Sequence, residues 1–184
     1  MSRYMPLRRK PPSQTWRAFL QNHTKDLVSI DFFVVPTATF RILYVFLVLE
    51  HERRRIVHFN VTDGPSAHWT GQDKIYGADF VRRVRAMGIE QVLTAPQSPW
   101  QNPYCERVIG TIRRDCLDHV IVLSEQHLRR ILRKYLEYYH GSRTQLALGK
   151  DAPDHRKRES ADRGKVIALP MVGGLHHRYT RRAA

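Results

Sequence analysis

Leu27-Val28-Ser29-Ile30-Asp31-Phe32-Phe33-Val34-Val35 is an apolar run with one acid inside it, closed by Pro36. A stretch of β-branched and aromatic residues ended by a turn residue predicts a strand buried on both faces, because a strand with one wet face alternates apolar and polar residues. An ionised carboxylate in such a strand carries a large desolvation cost unless a cation or strong donors accompany it. Asp31 therefore either belongs to a functional site, points out at a sheet edge, or pairs with an arginine.

Two further runs, Phe40 to Leu49 and Ile56 to Val61, flank Glu50-His51-Glu52-Arg53-Arg54-Arg55 and predict a long hairpin, so three strands follow one another. Asp63-Gly64-Pro65 is a turn signal, and the chain then shows no clear period from Trp69 to Asp73. Phe80, Val81, Val84 and Met87 share one side of a helix over Ala78 to Met87 with Gly88 as its C-cap. Gln91 to Thr94 is short enough for a strand. Asn102 and Pro103 read as N-cap and first helical residue. From there Cys105, Ile109, Ile112 and Cys116 form the buried stripe of a helix of about 15 residues. Leu128, Ile131, Leu132, Tyr135, Leu136 and Tyr139 mark one more helix, ending near Gly141. The order predicts an α/β or α+β domain with helices covering a mixed sheet.

With 184 residues, 42% of them hydrophobic, the chain suits one compact domain with tails. Residues 1–25 read as a basic arm that docks through Trp16, Phe19 and Leu20. Residues 26–150 read as the core and residues 151–184 as a basic tail. A formal charge of +14 and a pI of about 10.4 favour a polyanionic partner, DNA first and an anionic membrane surface second. The longest apolar run, Ile42 to Leu49, is far short of the ~20 residues that span a bilayer. The basic start, Arg8-Arg9-Lys10-Pro11-Pro12, lacks the apolar stretch of a secretory signal, so the expected location is the cytoplasm. Cys105 and Cys116 on one helix lie ~16 Å apart at ~1.5 Å per residue, beyond the ~7 Å reach of a disulfide. They read as core thiols.

Glu106 sits in the first turn of the Asn102 helix, beside its buried stripe, and can project toward the sheet. The plainer reading is an acid placed favourably at a helix N-terminus. Arg107, Arg113 and Arg114 on the same helix suit phosphate contacts, or equally a solvated face. A carboxylate from a strand and another from a helix suggest a divalent cation. Mg²⁺ prefers a few carboxylates with water and phosphate oxygens, and phosphodiester chemistry uses such ions in pairs.

Ser29-Ile30-Asp31-Phe32-Phe33-Val34-Val35-Pro36-Thr37 resembles the first-strand motif of the integrase catalytic core of bacterial insertion-sequence transposases, the DDE-type, retroviral-integrase-like family. Thr94-Ala95-Pro96-Gln97-Ser98-Pro99-Trp100-Gln101-Asn102-Pro103-Tyr104-Cys105-Glu106-Arg107 is similar to the helix motif that supplies the family's glutamate. Tyr138-Tyr139-His140 to Leu148-Gly149 and Gly174-Leu175-His176-His177-Arg178-Tyr179 resemble its C-terminal part. The resemblance implies a ribonuclease-H-like mixed sheet flanked by helices. It also implies DNA integration by cleavage and strand transfer, and an Asp, Asp, Glu set on two Mg²⁺ (or Mn²⁺) ions. Asp31 and Glu106 match the first and third of these residues, as catalytic and metal-binding positions.

The second carboxylate has no clear counterpart. In the family it ends a fourth strand, in an Arg-Asp-Arg-Asp-like segment before Ile-Tyr-Gly. Aligned on Ile75-Tyr76-Gly77, its position falls on Gly71, thirty-five residues before Glu106, the mid-thirties gap characteristic of the family; Asp73 matches a later, non-catalytic Asp. Only forty-two residues separate Asp31 from Asp73, too few for the usual helix and fourth strand. An internal deletion is the simplest account, with Asp73 as an uncertain substitute. The upstream DNA-binding region usual in such transposases is also expected to be missing, as in a decayed or truncated element. The expectation is a DNA-joining core, impaired, whose assembled form is a homo-oligomer. The rival is a non-catalytic DNA-binding or dimerising remnant. A third reading is a metal-dependent nuclease that hydrolyses ends without joining them. Adjacent His176 and His177 make poor joint metal ligands.

Overall fold

The computed structural model of the protein describes residues 28–65 and 102–183. The arm over residues 1–25, the helix over 78–87, the strand over 91–94, and Gly71 and Asp73 lie outside these. Three strands, β1 (Val28–Pro36), β2 (Ile42–Glu50) and β3 (Arg55–Thr62), form an antiparallel sheet in the order β1-β2-β3. Asp31 stands opposite Leu47 in the β1–β2 register. Two helices follow, α1 (Pro103–Asp115) and α2 (Glu125–Gly141), and then a two-stranded hairpin of β4 (Lys165–Met171) and β5 (His176–Arg182). The described fold is thus mixed α/β with antiparallel strands. No described helix is long and apolar enough to cross a membrane.

The core lies between the sheet and the two helices. Val45, Leu47 and Leu49 of β2, Phe33 and Val35 of β1, Cys105 and Ile112 of α1, and Leu128, Leu132 and Tyr135 of α2 belong to it. The expectation that β1 is buried on both faces does not hold. Phe33 and Val35 are buried, whereas Phe32 and Val34 keep 42% and 43% of their surface exposed. The strand buried on both faces is β2, where Val45, Phe46, Leu47, Val48 and Leu49 are all buried. β2 has hydrogen-bonded neighbours on both sides, and side chains such as Phe32, whose ring lies 5.0 Å from that of Phe46, shield its outer face.

Side chains from the helices tie the layers together. Tyr139 donates its hydroxyl hydrogen to the Arg54 carbonyl at 3.0 Å, and His140 Nε2 accepts the Ile56 N–H at 3.0 Å. Burial lowers the pKa of His140, which favours the neutral ring that this acceptor role needs. Ser124 caps α2, its hydroxyl oxygen accepting the His127 N–H at 3.2 Å. Cys105 and Cys116 are both free and buried.

Leu47 is 1% exposed in the central strand. Leu47→Ala should lower unfolding stability by about 3 kcal/mol. In a urea titration this would appear as a lower midpoint at unchanged slope.

Candidate functional site

Asp31 lies in β1 in phase with Phe33 and Val35, so its side chain starts from the helix-facing side of the sheet and is half-buried. α1 begins beside it. Pro103 occupies the first helical turn as the sequence suggests, but Asn102 makes no side-chain cap. Its Nδ2 donates to the Ile30 carbonyl at 3.1 Å instead. The Asn102 amide is thus oriented by a carbonyl one residue from Asp31, and its oxygen, the atom a helix cap would use, accepts no N–H of α1. Farther along α1, Arg113 Nη2 donates to the Val34 carbonyl at 3.1 Å, with its guanidinium 5.5 Å from the Phe33 ring centre. The helix is therefore held along β1 near both ends.

This placement brings Glu106 to Asp31. Burial raises the Asp31 pKa; the Phe32 N–H, donating to Oδ1 at 2.8 Å, opposes that shift, and the charge of Glu106 adds to it. Between them Cys105, with none of its surface exposed, has a thiol pushed up by burial and by the charges of both carboxylates. Glu106 itself is exposed in the first turn of α1, where the helix dipole also favours an acid. Neither Asp31 nor Glu106 forms an ion pair among the described residues, so the alternative of an arginine partner for Asp31 is not seen there.

Two carboxylates within electrostatic range of each other, one of them half-buried and neither in an ion pair among the described residues, are hard oxygen donors of the kind that Mg²⁺ accepts in ones and twos beside phosphate and water. The donor set fits such an ion in part. No group of three or more potential ligands occurs among the described residues, and Asp73 lies outside them. Of the three arginines, Arg107 and Arg114 are exposed. Arg113 is half-buried, with one N–H committed to β1.

One neighbour was not singled out from the sequence. His51, 3% exposed, contacts Ser29 Oγ through Nε2 and meets the Tyr104 ring edge-on at 4.8 Å. Burial first, and the Arg54 charge second, lower its pKa to about 4. Ser29 and Asp31 have the same phase in β1, so His51 meets the strand on the face from which Asp31 starts. Its position between Glu50 and Glu52 reads in sequence as a solvated turn.

The sign of the Asp31 shift gives a test. Its folded-state pKa is above the ordinary value of 3.8, so the unfolded chain holds fewer protons than the folded one between the two values. Stability contributed by this group therefore falls as pH rises through that window and stays lowered above it. Asp31→Asn should stabilise the fold at neutral pH, and the gain should disappear below pH 3.8. The check is denaturant unfolding of both proteins at the two pH values; a gain independent of pH would remove the electrostatic account.

Residues 87–153 match the family described as integrase core domain, a span that takes in α1, α2, Glu106 and the three arginines, while Asp31 precedes it. No curated protein and no solved structure matches the chain. Over residues 87–153 the chain is thus similar to the integrase core domain family.

Proposed function

We propose that the chain is a DNA strand-transfer core of the insertion-sequence transposase type, impaired by loss of the segment that carries the second catalytic acid. The observation that carries this reading is the placement of Asp31 and Glu106 on adjoining elements, with α1 hydrogen-bonded along β1 and with no ion pair for either acid among the described residues. A ribonuclease-H-like architecture lacking one helix and the fourth strand accommodates the antiparallel meander and the helix laid along β1.

In this reading Asp31 and Glu106 hold Mg²⁺ or Mn²⁺, and Arg107, Arg113 and Arg114 meet DNA phosphates. A bound divalent ion supplies charge stabilisation at the phosphate and a more acidic attacking hydroxyl or water. The chain's own part is to hold the two carboxylates against their mutual repulsion, which the α1–β1 hydrogen bonds do. Gly71, at the aligned position of the second acid, offers no side-chain carboxylate, so metal binding is weak.

The experiment is a joining assay with purified protein, Mg²⁺ or Mn²⁺, and DNA carrying the element's ends. Joining should be absent or barely detectable. Restoring the helix-and-strand segment with its terminal acid should recover it, and Asp31→Asn should abolish the recovered activity. Robust joining by the unmodified chain, lost in Asp73→Asn, would show that Asp73 fills the role. Ends hydrolysed but not joined would favour a nuclease. DNA binding with no metal-dependent cleavage, even after restoration, would leave a non-catalytic remnant.

Duplex binding should weaken linearly in log K against log salt, by ~0.9 per phosphate contacted. Replacing exposed Arg107 and Arg114 together with Ala should make that slope shallower by about 1.8 if each meets one phosphate.

A further inference from the structure

A cleft of about 790 Å³ opens between the segment that follows α2 and the β4–β5 hairpin, and neither Asp31 nor Glu106 lines it. The two acids that do line it are already committed. Asp151 receives Arg53 Nη2 and His155 Nδ1, each at 2.7 Å, and the backbone N–H groups of Ala152 at 2.8 Å and Arg156 at 3.2 Å. Glu159 receives the Thr180 hydroxyl at 2.7 Å, Arg156 Nη2 at 3.2 Å and the Arg181 N–H. These bonds, that of Thr180 foremost, hold its carboxyl down to about 2. The side chains of Lys150, Lys157 and Arg158 line the same cleft and form no ion pair or hydrogen bond among the described residues. The cleft therefore has three uncommitted cations and no uncommitted acid.

Beside them stands Tyr179 of β5. It is 60% exposed although it lines the cleft, and Arg156 Nη2 anchors its backbone by donating to its carbonyl. An anchored, exposed aromatic ring among free cations suits a ligand that has both charges and flat faces. A nucleic-acid single strand has both, its phosphates meeting the cations and a base stacking on the ring. A duplex keeps its base faces covered, and an acidic peptide has no use for the ring.

We propose that this cleft binds single-stranded DNA, with phosphates on Lys150, Lys157 and Arg158 and a base stacked on Tyr179. The choice of DNA over RNA rests on the DNA-processing reading above; the charge and stacking geometry does not.

The test is fluorescence anisotropy of the full chain with a labelled oligo(dT) of about twelve nucleotides, within the range of a single binding groove, and with a duplex of equal length, across salt concentrations. Tyr179→Ala should weaken oligo(dT) binding by about tenfold and leave duplex binding unchanged, whereas Tyr179→Phe should retain affinity. Lys157→Ala with Arg158→Ala, both at exposed positions, should make the single-strand salt slope shallower by about 1.4. Circular dichroism and thermal melting confirm that the variants fold. Oligo(dT) binding unaffected both by Tyr179→Ala and by the Lys157→Ala, Arg158→Ala double change, or equal competition by polyglutamate, overturns the proposal. If the cleft variants have no effect while the Arg107 and Arg114 changes reduce duplex binding, only the cleft assignment fails. If the cleft binds oligo(dT) but the restored chain never joins ends, the strand-transfer reading fails and the cleft stands.

Discussion

Asn102 forgoes its role as a helix cap to hold the Ile30 carbonyl, and Arg113 reaches from the far end of the same helix to hold the Val34 carbonyl. These two bonds fix α1 lengthwise along β1, and much else in the molecule follows from that. Cys105, Ile109 and Ile112 are directed into the core against Phe33 and Val35, where their burial supplies the apolar stabilisation. The same alignment sets Glu106 against Asp31. Two like charges are set within electrostatic range because the packing beneath them dictates it, and the raised pKa of Asp31 reflects burial first and the Glu106 charge to a smaller degree. A residue that weakens the fold at the pH where the fold operates is expected where a site has been built at the expense of stability.

The far end of α1 organises the C-terminal hairpin in the same manner. Asp115 receives Arg143 Nε at 2.7 Å and the Tyr135 hydroxyl at 3.4 Å, and its backbone carbonyl takes a hydrogen bond from His176 Nε2 at 2.6 Å. The His176 ring stacks on Tyr138 with centroids 4.4 Å apart and planes 2° from parallel. His176, at the start of β5, thus ties the hairpin to both helices, and Val172 in the turn between β4 and β5 packs against the same core.

Periodicity made most of the described elements legible in the sequence, because burial on one face is what the pattern encodes. The stripe Cys105, Ile109, Ile112, Cys116 is buried as read, and so are Leu128, Leu132, Tyr135, Leu136 and Tyr139. Asp31 and Glu106 stood out through the cost of an acid in an apolar strand and through motif resemblance. Long-range competition was not legible. Local preference makes Asn102 a cap, but its amide N–H bonds a carbonyl 72 positions away in the chain and its oxygen caps no helix N–H. His51 among charged neighbours looks solvated, yet Ser29 and Tyr104 enclose it. The apolar composition of β1 overstated its burial, because composition does not say which strand of a sheet is central. The pairing of β4 with β5 across the Gly173-Gly174 turn is not legible in a stretch whose composition reads as a basic tail.

Charge balance constrains how the proposed site can work. Two divalent ions bring four positive charges, and Asp31 with Glu106 supplies two negative ones; the aligned glycine at position 71 adds none. A cation near Asp31 lowers its pKa, offsetting both the desolvation and the repulsion from Glu106, so one ion is well matched to this pair. A second would leave an excess that only phosphate oxygens can balance, since the basic groups of α1 oppose it. In the proposed reading, therefore, the missing acid does more than remove one ligand. It makes occupancy by the second ion depend on bound DNA, and the arginines that attract the DNA are the same groups that repel the ion.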